Sequence, residues 1–204
     1  MANHFAERLF TPAVKDLQSR AGSRRAYARR DGPQGGPPLG PDERDFIEAR
    51  DSLYLATVSE TGWPYVQHRG GPRGFVKVLD DSTLVLPDVR GNKQFISLGN
   101  LSKNDRAAFI FMDYPNQTRL KVLGHIEVVG VDALRPVERP ALDDRPVERF
   151  LKVHVEGSDW NCPQGITPRF TREEVERLAA PLLERLEQAE ALLAANGLSL
   201  PKRR

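Results

Sequence analysis

Two short polar clusters in this chain carry the residue types that chemistry needs. One is Gln67-His68-Arg69-Gly70, at the end of a strand-like run and followed by Gly71. The other is Arg90-Gly91-Asn92-Lys93, just ahead of an apolar, helix-like run. Arginine offers a fork of donors and lysine a compact charge, and both suit a phosphate. A helix start adds free backbone N–H groups and the positive end of a dipole. Glycine at a strand end lets a flat ring approach the backbone. Asp88 precedes the second cluster and could orient Arg90 or accept a bond from a ribityl chain. Together these types describe a seat for a phosphate-bearing planar cofactor, such as flavin mononucleotide (FMN) or a close analogue. The competing readings are a solvated basic turn and an ordinary strand histidine.

The flanking sequence supplies strands to position these clusters. Residues 53–58, 63–69, 74–79 and 83–86 are β-rich runs separated by turn signals such as Glu60-Thr61-Gly62 and Asp80-Asp81-Ser82. A helix is expected over 93–101. Further strands are expected over 107–112, 120–129 and 147–155, where apolar residues alternate with polar ones. Short strands in succession around one helix predict a mainly β protein with flanking helices, built on a small antiparallel barrel.

The barrel has an extension at each end. Residues 1–41 read as an N-terminal arm, rich in arginine, followed by the Gly/Pro-rich connector DGPQGGPPLGP. The compact domain is expected over 42–170. Residues 171–204 read as a C-terminal helix and basic tail. Thr171 and Glu174 form a capping box, and Val175, Leu178, Leu182, Leu186, Ala189 and Leu193 make an apolar stripe.

Bulk composition narrows the function classes. The 204 residues carry a formal charge of +2, with 30 Lys+Arg against 28 Asp+Glu, so net charge does not argue for nucleic acid. No run approaches the roughly 20 apolar residues of a membrane span. The lone Cys162 cannot form an internal disulfide, and no His/Cys spacing suggests a metal site. The expectation is a cytoplasmic protein that binds neither membrane nor nucleic acid.

Four segments resemble the FMN-binding split barrels related to pyridoxamine 5′-phosphate oxidase. They are RDSLYLATVSETGWPYVQHRGGPRGFVKVLD (50–80), RGNKQFISLGNL (90–101), RLKVLGHIEVV (119–129) and DWNCPQGITPRF (159–170). The resemblance implies a six-stranded antiparallel split β-barrel that forms a homodimer, with FMN at the subunit interface. It implies phosphate contact from Arg90, Asn92 and Lys93. It runs Gln67, His68, Arg69 and Gly70 beside the ring, and brings Arg119, Trp160, Asn161 and Gln164 to the cofactor of the other subunit. Nothing after Phe170 resembles the substrate-binding end of the true oxidase. Gly165 stands where close relatives usually carry histidine. The reaction expected is flavin-dependent oxidation or reduction of a small molecule, with no acid or base assigned. The alternatives are a non-enzymatic flavin carrier or sensor, or a barrel holding a deazaflavin or haem. Haem would need His68 or His125 as ligand.

Overall fold

The computed structural model describes residues 2–32, 34–161 and 164–198. Seven antiparallel strands form one curled sheet: β1 (Ser52–Val58), β2 (Pro64–Gly70), β3 (Lys77–Asp80), β4 (Thr83–Val89), β5 (Arg106–Asp113), β6 (Thr118–Val129) and β7 (Val147–Asn161). The strand order is β2-β1-β5-β6-β7-β4-β3. This is the split barrel, with one strand more than the six expected.

Sequence alternation explains which way the strands face. In β1, Leu53, Leu55 and Thr57 are buried while Tyr54 and Val58 are exposed; in β5, Ala107, Phe109 and Phe111 point inward. β4 is buried almost throughout, because its other face packs Val85 against Leu134 and Phe150 in a second small core. Burying such apolar side chains contributes roughly 1.5–3 kcal/mol each.

The two end strands do not close on each other. β3 is short and pairs only with Thr83–Val85, so Leu86–Val89 has a free edge on that side. β2 stands across from this edge, and the gap between them is the split.

Helix α5 (Ile96–Leu101) plugs the barrel, with Leu101 in the main core and Asn100 donating to Thr57 Oγ1 at 2.9 Å. It starts three residues later than the sequence pattern suggests. Phe95, its N-cap, is left-handed (φ 53°), as is Lys93 (φ 60°). The basic cluster therefore lies in a bent loop before the helix rather than in its first turn.

The N-terminal arm contains α1 (Phe5–Leu9), α2 (Pro12–Arg20) and α3 (Arg24–Tyr27), and it docks on the barrel. Phe5 and Ala6 are buried, and Leu39 joins the main core. Asn3 bonds Ser158, whose hydroxyl donates to the Pro38 carbonyl at 2.6 Å. A Cβ on Gly157 would lie 2.4 Å from Phe5 N, so the close approach requires glycine. The packed unit thus begins well before the Gly/Pro connector. A fourth helix, α4 (Pro41–Glu48), leads into β1. The last helix, α6 (Arg172–Ala195), has no buried residue. Among the described residues, no helix is long and apolar enough to cross a membrane.

Candidate cofactor-binding site

A cavity of about 350 Å³ fills the split. One wall is the inward face of β2, with Tyr65, Gln67 and Arg69. The facing wall comes from Pro87, Asp88 and Val89 at the end of β4. The loop Gly91–Phe95, the start of α5, Arg145 and Glu148 complete the lining. Its volume falls in the roughly 300–1,000 Å³ range of small-ligand pockets.

Arg69 bridges the split. Its Nη1 donates to Asp88 Oδ1 at 2.5 Å and its Nη2 to Gln67 Oε1 at 3.3 Å. Its Nε is buried with no partner among the described residues. Gln67 Oε1 also accepts from Ser97 Oγ at 2.9 Å, which leaves the amide nitrogen as the end free to donate. Lys93 has no carboxylate partner among the described residues. The cavity therefore presents unused donors: Arg69 Nε, Gln67 Nε2 and Lys93 Nζ. A buried donor without a partner costs free energy, about 1–3 kcal/mol, which a bound acceptor recovers.

An ion-pair chain fixes this wall. Asp88 Oδ2 lies 3.3 Å from Arg149 Nη1. Arg149 Nη2 donates to Glu148 Oε2 at 2.9 Å, and Glu148 Oε1 accepts from Arg90 Nε at 3.2 Å. Ser97, Arg149 and Glu148 had no distinguishing signal in the sequence. Ser97 sits inside an apolar helix, and the other two lie in a strand about sixty residues from their partners.

The sequence clusters divide between two places. Gln67, His68, Arg69, Gly70, Asp88, Asn92 and Lys93 line the cavity. Asn92 Oδ1 is occupied by Gln94 N at 3.1 Å. Arg90 points away to Glu148, and its side chain is 62% exposed. Gly71 serves packing rather than a ring: a Cβ there would meet Phe75 at 2.6 Å. His68 stands edge-on to Tyr54 at 5.5 Å, and His125 bonds Asp105 at 2.9 Å outside the cavity.

Arg119 and Trp160 lie away from the cavity of their own chain. Arg119 opens β6, and its Nε is the other buried side-chain atom without a partner among the described residues. Trp160 Nε1 donates to Glu43 Oε1 at 2.5 Å, and its ring meets Phe46 edge-on, so it braces α4. Asn161 pairs with Arg119 in the sheet register. Gln164 is exposed; Gly165 has φ +82°, which disfavours a histidine in this conformation. Cys162 lies outside the described residues. Among the described residues no group of His, Cys, Asp or Glu could hold a metal ion.

Fold and site define a split-barrel protein with a donor-lined cleft between its unclosed edges. The family model for pyridoxamine 5′-phosphate oxidase matches residues 39–156, more than half of the chain, and the chain belongs to that family. Three solved structures illustrate the likeness. A candidate pyridoxamine 5′-phosphate oxidase from Lactobacillus delbrueckii is 23% identical, with 61% of this chain and 96% of that chain covered and a TM-score of 0.48. HupZ from Group A Streptococcus is 17% identical, with 65% and 99% covered and a TM-score of 0.47. An FMN-binding protein from Syntrophomonas wolfei is 13% identical, with 72% and 97% covered and a TM-score of 0.43. None of the curated proteins compared with the chain matches it.

Proposed function

We propose that this protein is an FMN-dependent oxidoreductase that works as a homodimer on a small molecule. The observation that carries the reading is Arg69 Nε, buried without a partner among the described residues, in a cavity that also presents Gln67 Nε2 and Lys93 Nζ as donors. Such a site suits a flat ligand with acceptors along one edge and an anion at one end. When bound, the flavin would take up and pass on electrons, chemistry that no side chain here supplies.

The chain's own residues would bind and tune. Lys93, from its strained loop, would hold the phosphate by a charge-assisted bond. Gln67 Nε2 and Arg69 Nε would donate to the ring's carbonyl edge, and the arginine's charge would favour the more negative, reduced form. Asp88 and Arg149 would keep Arg69 in place. Phe75, Phe95 and Ile96 would exclude water from one side.

Dimerisation is supported by the outer face of the sheet. His68, Tyr54, Ile110, Lys121 and Asp159 form one row across five strands. The N-terminal arm covers the far end of that row: Phe5 lies against Lys121, and Arg30 pairs with Asp159. The near end is open: Val66, two residues before His68 on β2, is 61% exposed, and Trp63, just before that strand, is 75% exposed. A second copy on this face would bring Arg119 toward the partner's cavity.

The test is a visible spectrum of the purified protein, with FMN titration of any colourless fraction and sedimentation of the product. A yellow dimer, or stoichiometric FMN uptake by a dimer, is expected. Protein that is colourless and takes up no FMN overturns the proposal. A flavin that a reductant reduces, but that passes electrons to no acceptor, makes the protein a carrier instead.

A further inference from the structure

Helix α6 runs for 24 residues with no buried side chain. At 1.5 Å per residue it extends about 36 Å. Val175, Leu178, Leu182 and Leu186 recur at three- and four-residue spacing and share one face, with 44–70% of each exposed. A helix of this length with an uncovered leucine stripe calls for a partner.

Charge indicates which one. α6 carries six glutamates against three arginines, so two copies of it would repel each other. Glu187 and Glu190 flank the stripe and have no cationic partner among the described residues. The N-terminal arm has the opposite character. Between Lys15 and Asp31 it carries six cations, Lys15, Arg20, Arg24, Arg25, Arg29 and Arg30, against two aspartates. Arg25 and Arg29 have no carboxylate partner among the described residues. Leu17 is 62% exposed on α2 and Tyr27 41% exposed on α3. Both surfaces thus expose apolar side chains and are opposite in charge.

We infer that α6 docks on the arm of a second copy of this chain. Its leucine stripe covers Leu17 and Tyr27, and its glutamates meet Arg25 and Arg29. The inference rests on the homodimer proposed above and adds a second contact to it, remote from the cavity. The arm, already pinned to its own barrel through Phe5 and Leu39, becomes the platform on which the partner's helix lies.

Crosslinking of the full chain tests this. Leu182→Cys is placed in one tagged copy and Leu17→Cys in a differently tagged copy, both in a Cys162→Ser background, and the two are co-expressed. Mild oxidation should join the two tags. A disulfide between two Leu182→Cys chains overturns the inference by showing that α6 pairs with itself. So does a dimer in sedimentation that gives no crosslink, or a disulfide that forms only inside one chain carrying both cysteines. A monomer at every concentration overturns both this inference and the dimer; a persisting dimer without the crosslink overturns this inference alone. In the otherwise native chain, Glu187→Lys with Glu190→Lys should weaken the dimer roughly tenfold. Adding Arg25→Glu with Arg29→Glu should restore it, and failure of that rescue overturns the pairing.

Discussion

Arg50–Asp113 and Arg69–Asp88 are arginine–carboxylate pairs of nearly equal burial. The side chains are 16% and 9% exposed in the first and 12% and 11% in the second. In the first, no buried side-chain nitrogen or oxygen lacks a partner among the described residues. Arg50 Nη1 meets Asp113 Oδ2 at 2.6 Å, Nε donates to the Phe46 carbonyl at 3.2 Å, and the guanidinium lies over the Phe46 ring. Asn116 donates to both carboxylate oxygens. In the second, Arg69 keeps a buried donor unused, and Asp88 is shared with Arg149. Matched burial with unmatched satisfaction separates a pair that holds the barrel together from one that waits for a ligand.

The largest effect should come from opening the satisfied pair. Arg50→Met takes the cation from a buried carboxylate and leaves it only the neutral donors of Asn116, and chemical denaturation should report a loss of about 3–5 kcal/mol. FMN affinity of the folded variant should hold. Arg69→Met should invert the pattern. Asp88 retains Arg149, so stability should fall much less, while FMN affinity drops by about 1.5–3 kcal/mol, a factor of roughly 10–150. Equal stability losses in the two variants would erase the distinction.

Acid should probe the first pair directly. Burial pushes the Asp113 carboxyl up, but bonds from Asn116 and attraction to Arg50 outweigh it and hold it below its ordinary value. A folded-state value below the unfolded one stabilises at pH above the unfolded value, about 3.9. That contribution should disappear as pH falls through the depressed value. Asp113→Asn should flatten the acid limb of a stability–pH curve, and an unchanged limb would place the acid sensitivity elsewhere.

The same contrast explains what was legible in the sequence. Alternation along β1 and β5, and glycine-marked turns, displayed the barrel because strand faces obey a local period. Gln67, Arg69 and Lys93 were visible as polar groups at element ends. The Arg69–Asp88–Arg149 chain was not, because it joins three strands whose proximity the curl of the sheet creates. Arg90 looked equivalent to Lys93 in sequence. A nearby carboxylate, Glu148, turns it outward, and nothing local foretells that partner. The docked arm was hidden too: its Gly/Pro connector reads as a boundary, yet Leu39 at its end enters the core.

The smallest effect probes why Lys93 stands in a left-handed loop. That conformation costs a non-glycine residue about 1–2 kcal/mol, and such strain tends to sit where a ligand needs a fixed geometry. Lys93→Ala and Lys93→Gly remove the same charge, so both should weaken FMN binding by about 1.5–3 kcal/mol. They differ in backbone freedom. Glycine relieves the strain that alanine keeps, partly offset by its looser unfolded chain, so the ligand-free Gly variant should be the more stable by about 1 kcal/mol. Thermal unfolding of the two apoproteins reads that difference. Equal stability would mean that the loop relaxes without ligand, and that Lys93 takes its place in the cleft when the phosphate arrives rather than standing ready for it.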